Sequence, residues 1–269
     1  MKKGLFIVGF LVLLAQLPLW CLDTSPSSLQ LIPEAIWASA TGGGTWVTEL
    51  QITNLDVTAA NVAVRFVYAG GYTGSFALPT PLPAHQTAKY YNILSTMDSI
   101  DPSAQVYYGR VGTLYIFTGG PLIQVQAKTV NGSYGKTFPG LNMVADNTAA
   151  QDRMLMIQDL IRSSEYRTFV GAFNTSSTAT YTVTFSIMDA GNNLVGSVIT
   201  KTLAPNAFVS FNPFTEAGIS SGTYDNCWLL IHVTAGGTAA AGVMCFGSQA
   251  NNYTNDTYAL LARKYLQYV

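Results

Sequence analysis

Basic residues are too few and too scattered in this chain to build a nucleic-acid surface. Lys and Arg number 13 among 269 residues, against 14 Asp and Glu, and a phosphate backbone is held by a concentrated basic face. Histidine is scarcer still. His85 and His232 are the only two, and no H-x-x-x-H or C-x-x-C spacing supplies a metal ligand set. There is no P-loop and no dinucleotide fingerprint, so nothing marks a nucleotide site. Helical patterning is nearly absent, with weak stretches at Tyr91 to Asp98 and Tyr258 to Tyr268. Charged residues make up 10% and hydrophobic residues 49%, a balance that excludes intrinsic disorder. What remains is an uncharged polar surface over a large apolar core.

Long apolar runs are confined to the N-terminus. Lys2 and Lys3 precede the apolar stretch Gly4 to Leu17, and Pro18 and the polar run Asp23 to Ser28 break it. That order is a secretory signal peptide, assigned to residues 1–24. A membrane anchor is the competing reading, but the stretch falls short of the roughly 20 residues a spanning helix needs. Lipidation at Cys21 is disfavoured by the bulky Trp20 before it. Cleavage leaves about 245 residues, enough for two ordinary β domains.

The mature chain reads as a duplication. Trp46-Val-Thr-Glu-Leu-Gln-Ile-Thr-Asn54 aligns with Tyr166-Arg-Thr-Phe-Val-Gly-Ala-Phe-Asn174 without a gap. Val62, Val64 and Phe66 match Tyr181, Val183 and Phe185. Leu82-Pro-Ala-His85 matches Leu203-Ala-Pro-Asn206, and Gly119-Gly120 matches Gly236-Gly237. The first strands are also matched, Leu31 to Ile36 with Leu155 to Leu160. A period near 120 is too long for solenoid repeats and suits domains at 25–149 and 150–269. Within each copy the apolar residues alternate, the period of half-buried strands, and turn signals punctuate them at Ala69 to Gly71, Pro79 to Pro83 and Asp189 to Asn193. The fold class expected is all-β, two tandem antiparallel sandwiches.

Cys227 and Cys245 each lie nine residues from Gly236. A symmetric hairpin about that glycine would put them opposite each other, within disulfide reach. An exported chain meets oxidising chemistry, and such a bridge would add about 3 kcal/mol. The same hairpin shows an anomaly. Its inner face carries Cys227, Leu229, Ile231, Val243 and Cys245, yet its outer face is also apolar, with Trp228, Leu230, Met244 and Phe246 beside His232. In the first copy the outer face is mostly polar, with Thr113, Gln124, Gln126 and Lys128 around Tyr115. Phe169 and Phe173 likewise stand where the first copy has Glu49 and Thr53. Phe169, Phe173, Trp228, Leu230, Met244 and Phe246 therefore form a candidate contact surface. Its cover is open between the first domain, the C-terminal segment Tyr258 to Val269, and another molecule.

The stretches Trp46 to Gly71 and Tyr166 to Gly191 resemble the Ig-like repeats, cell-adhesion-related and fibronectin-like, of uncharacterised bacterial secreted proteins. Lys128 to Gly135 and Gly247 to Asp256 are similar to segments of such tandem-domain chains. The resemblance implies a sandwich fold and an extracellular setting, and carries no shared active site.

Candidate chemistry is thin. Asp98 and Asp101 flank a Pro102 turn rather than forming an acid–base pair, and Asp189-Ala-Gly-Asn-Asn193 reads as a turn before it reads as a calcium loop. Asn131, Asn174, Asn252 and Asn255 head Asn-x-Ser/Thr triplets. The expectation is a non-enzymatic exported structural or adhesion protein without a cofactor, secreted, periplasmic or at the cell surface. Its partner is expected to be itself or another surface protein. The alternative is a carbohydrate-binding module using Tyr90-Tyr91 and Tyr107-Tyr108. An enzyme or an outer-membrane β-barrel ranks below both.

Overall fold

The computed structural model describes residues 24–40, 43–73, 75–102, 107–142, 148–237, 242–254 and 256–265. All but the last residue of the expected signal segment lies outside them, as does Leu266. The described chain is mostly β, and every strand pairing is antiparallel.

In the first half, β1 (Leu29–Ser39), β2 (Thr45–Asn54), β3 (Val62–Tyr68), β4 (Gly71–Tyr72), β5 (Phe76–Ala77) and β6 (Thr87–Tyr90) precede helix α1 (Ile93–Ile100). After it come β7 (Arg110–Thr118), β8 (Ile123–Asn131) and β9 (Tyr134–Pro139). Strands β3, β7 and β1 make one layer, with β4 and β5 on β3. Strands β6, β2, β8 and β9 make the other, and the end of β1 joins them through Ala38 opposite Trp46. Val64, Phe66, Leu114 and Ile116 from the first layer share a buried cluster with Leu50, Ile52, Val125 and Ala127 from the second.

The second half repeats this order. Strands β10 (Met154–Arg162), β11 (Tyr166–Asn174), β12 (Tyr181–Met188), β13 (Ile199–Leu203) and β14 (Phe208–Phe211) precede α2 (Pro213–Glu216). Then follow β15 (Tyr224–Ala235), β16 (Val243–Asn251), β17 (Thr257–Leu261) and β18 (Arg263–Lys264). One sheet runs β13-β12-β15-β10-β18 and the other β14-β11-β16-β17. Both helices follow the equivalent edge strand, and each is capped by an asparagine side chain, Asn92 or Asn212. Such a cap satisfies amide donors that the first helical turn leaves open. The described part of the stretch from Tyr258 is not helical, because β17 extends the sheet edge beside β16.

Two readings of the turns are corrected. The Gly119-Gly120 and Gly236-Gly237 turns do not close hairpins. β7 pairs with β1 and β3 while β8 pairs with β2 and β9, and likewise β15 pairs with β10 and β12 while β16 pairs with β11 and β17. Each glycine pair arches from one sheet to the facing one. Cys227 on β15 and Cys245 on β16 are therefore not cross-strand neighbours, and both are buried free thiols, with burial pushing both thiols above their usual range. The first strands also align one residue away from the sequence match. Ile32 opposes Leu114 as Leu155 opposes Ile231, so Ile32, not Leu31, is the counterpart of Leu155. A one-residue slip flips every side chain to the other face, and only the partner strands fix it.

Candidate contact surfaces and the cleft between the halves

The six residues expected to form one contact surface divide between two sheets. Phe173, Met244 and Phe246 lie on the outer face of the β11–β16 sheet, and the first half covers them: 1–2% exposed, they belong to its buried cluster. Trp228 and Leu230 lie on the other sheet of the second half and stay half-buried. Phe169, at the border of the covered region, is 40% exposed.

Aromatic rings make the seam between the halves. Tyr115 meets Phe173 edge-on at 5.4 Å between centroids, and Phe138 meets Phe246 edge-on at 5.7 Å. Phe208, which sequence reasoning missed, stacks on Phe246 at 6.3 Å. Such pairs add to the area they bury. Gly171 permits the arrangement, since a Cβ there would run into the Phe246 ring. Strand β16 is consequently buried on both faces from Val243 to Ala250. The first half's share of the seam was hard to find because Tyr115 and Thr113 stand on a face that reads as polar. They are 8% and 1% exposed.

A buried ion pair sits in the same seam. Strand β1 bulges between Ile32 and Ala35, where Pro33 has no amide to give a ladder. Bulges re-aim side chains, and Glu34 at this one meets Lys136 of β9 at 2.6 Å, both about nine-tenths buried. The Lys136 ammonium also donates to the Ser248 hydroxyl of β16, tying the halves together by a charge-assisted bond.

Beside this pair opens a cleft of about 280 Å³. Trp46, Ile36 and Phe169 give it apolar walls, and Glu34, Lys136, Ser248, Thr257 and Arg167 give it polar ones. Arg167 donates to Asn252 Oδ1 at 2.7 Å. Thr257 is 9% exposed, and its Oγ1 is buried without a hydrogen-bond partner. A second opening along the seam, about 420 Å³, is lined by Arg65, Tyr115, Phe117 and Asn206 among others.

The outer face of the β10–β12–β15 sheet has no cover among the described residues beyond Tyr265, which stacks on Trp228 at 5.7 Å. Register places Met156 beside Leu230 and Met188 beside Trp228, all half-buried. Of the C-terminal segment proposed as a lid, half-buried Leu260 packs against the second half's core and half-buried Leu261 against the first half's.

The remaining sequence candidates take structural positions. His85 has φ 56° and Asn206, its counterpart, φ 55°, so both serve a left-handed turn. His232 is half-buried on β15. The Asp189 carboxylate accepts the Gly191 and Asn193 amides at 2.8 Å each, which holds it below the usual carboxylate range. Asp98 lies in α1, and Asp101 caps its end. Among the described residues no three His, Cys, Asp or Glu side chains cluster to hold a metal ion, and no helix is long and apolar enough to cross a membrane. Asn174 is fully buried. The tyrosine pairs divide: Tyr91 and Tyr108 are exposed, whereas Tyr107 is buried, its phenol pushed up to about 12 by desolvation.

No family model and no curated protein matches the chain. Among solved structures, Thermotoga maritima 1070 is 10% identical, covering 42% of this chain and 92% of its own, with a TM-score of 0.30. Broad Bean Stain Virus gives 10% identity over 91% and 90% of the two chains, with a TM-score of 0.25. The apo Pleurotus ostreatus lectin gives 9% over 92% and 85%, with a TM-score of 0.19. None of these places the chain in a fold family.

Proposed function

We propose that this chain is an exported, non-enzymatic structural protein of two tandem Ig-like sandwich domains, and that it works by pairing sheet faces. The repeated strand order and the matching asparagine-capped helices support the duplication. The observation that carries the function is an imbalance between equivalent faces. Tyr115 and Thr113 of β7 stand on the face that the second half covers. Their counterparts on β15, His232 and Leu230, stand on a face that Tyr265 alone crosses among the described residues. The duplication has filled one socket and left the other open.

The occupant that fits the open face is a second copy, related by a two-fold axis. Head-to-tail stacking would set it against the outer face of the β2–β8 sheet, which carries Glu49, Gln51, Gln124, Gln126 and Lys128. Polar groups placed there against Trp228 and Leu230 would lose their water without gaining partners. A two-fold contact instead sets the face against itself, and the flexible Met154, Met156 and Met188 adapt to such a fit. Light scattering on residues 25–269 at micromolar concentrations tests this. A dimer is expected, reverting to monomer in Leu230→Lys without loss of thermal stability. A wild-type monomer at every concentration, or a dimer indifferent to Leu230→Lys, overturns it.

A further inference from the structure

The cleft beside the Glu34–Lys136 pair makes a different demand from the open sheet face, and it lies within one chain, so it stands apart from the dimer reading. We infer that it binds one neutral, hydroxylated ring, a hexopyranose or its simple glycoside. Size is the first argument. At about 280 Å³ the cleft is at the small end of ligand pockets, room for one ring rather than a chain. Composition is the second. Trp46 and Phe169 offer apolar ring faces, and Phe169 is 40% exposed although its strand neighbours Val170 and Phe173 are buried. A pyranose has a C–H face to lay on such rings and a rim of hydroxyls to turn the other way.

The polar wall decides the charge. Glu34 and Lys136 neutralise each other at 2.6 Å, and the Arg167 guanidinium on the same wall is held by Asn252 Oδ1 at 2.7 Å. A carboxylate ligand would compete with Glu34 for the ammonium, and an amine would compete with Lys136 for the carboxylate. A hydroxyl both donates and accepts, so it bonds either partner without breaking the pair. A purely apolar ligand would bury the pair and Thr257 Oγ1 without new bonds. Thr257 Oγ1 has no partner among the described residues, and buried polar atoms ordinarily find one. Its hydroxyl supplies the contact that a sugar, unlike a hydrocarbon, returns. Pockets also favour boundaries between packed units, and β1, β9, β11 and β16 meet here.

The probes are methyl α-mannopyranoside, methyl β-glucopyranoside and methyl β-galactopyranoside, with benzoate and benzylamine as charged rings. Each is titrated into residues 25–269 by saturation-transfer NMR and calorimetry. Saturable binding of at least one glycoside is expected, weakened about tenfold or more by Trp46→Ala and by the isosteric Thr257→Val, about 1.4 kcal/mol each. Tyr91→Ala, on an exposed residue outside the cleft, leaves it unchanged. Thermal melting confirms that each variant folds, and Thr257→Val retains shape if Trp46→Ala does not. No saturable glycoside binding, binding indifferent to Thr257→Val, or tighter binding of benzoate or benzylamine overturns the inference.

Discussion

Two asparagines and two threonines hold equivalent points in the halves, and their bonds repeat almost atom for atom. Asn54 Nδ2 lies 2.7, 3.0 and 3.1 Å from the carbonyls of Thr58, Leu82 and Pro83. Asn174 Nδ2 lies 2.7, 3.0 and 2.9 Å from those of Ala179, Leu203 and Ala204. Each Oδ1 accepts the amide two residues on, from Asp56 or Ser176. Thr48 and Thr168 bond both the amide and the carbonyl of Ile36 and Ile161, tying β2 to β1 and β11 to β10. Asn54 and Asn174 are fully buried, so truncating either orphans several backbone groups, each costing about 1–3 kcal/mol. Asn174→Ala should therefore lose at least about 2 kcal/mol in urea unfolding, and a loss below about 0.5 kcal/mol would refute the role. The recurrence of Thr and Asn was legible as a repeat. Their work was not, because the carbonyls that Asn54 holds at Leu82 and Pro83 lie 28 and 29 residues on.

Strands show where sequence reading stops and partner choice begins. Alternation placed β3 and β12 correctly, with Val64, Phe66, Val183 and Phe185 inward. The glycine pairs marked the turns, but a symmetric Gly-Gly spacing fits an arch as well as a hairpin, and only the strand's neighbours decide. The β1 bulge had no sequence signal apart from Pro33, so the Glu34–Lys136 pair across the core's edge was invisible. Its energetics follow from burial. Removing one partner leaves an uncompensated buried charge, at about 3–5 kcal/mol, whereas replacing both by apolar residues is often neutral. Lys136→Met is expected to lower the unfolding free energy by that amount, and Glu34→Leu added to it should restore most of the loss. A double variant as unstable as the single one would show that shape at the seam, rather than charge, sets the cost.

At the scale of the molecule, the seam decides whether the halves behave as one body. The sequence showed that the second half carried surplus aromatics. It did not show where they went, because the surface receiving them includes Tyr115 and Thr113, which look solvent-facing in a two-residue period. The buried cluster of the first half includes Phe173, Phe208, Met244 and Phe246 from the second. Each fully buried large side chain contributes about 1.5–3 kcal/mol, so four of them represent a coupling of the order of a whole domain's net stability. Neither half is expected to unfold while the other stays folded. Scanning calorimetry on residues 25–269 should then show one transition with equal calorimetric and van't Hoff enthalpies. Phe246→Asp would set a charge against Phe138 and Phe208 and loosen the seam, so that variant should resolve into two transitions. Two transitions in the wild type would mean that the halves unfold as independent domains and that the aromatic seam is too weak to couple them.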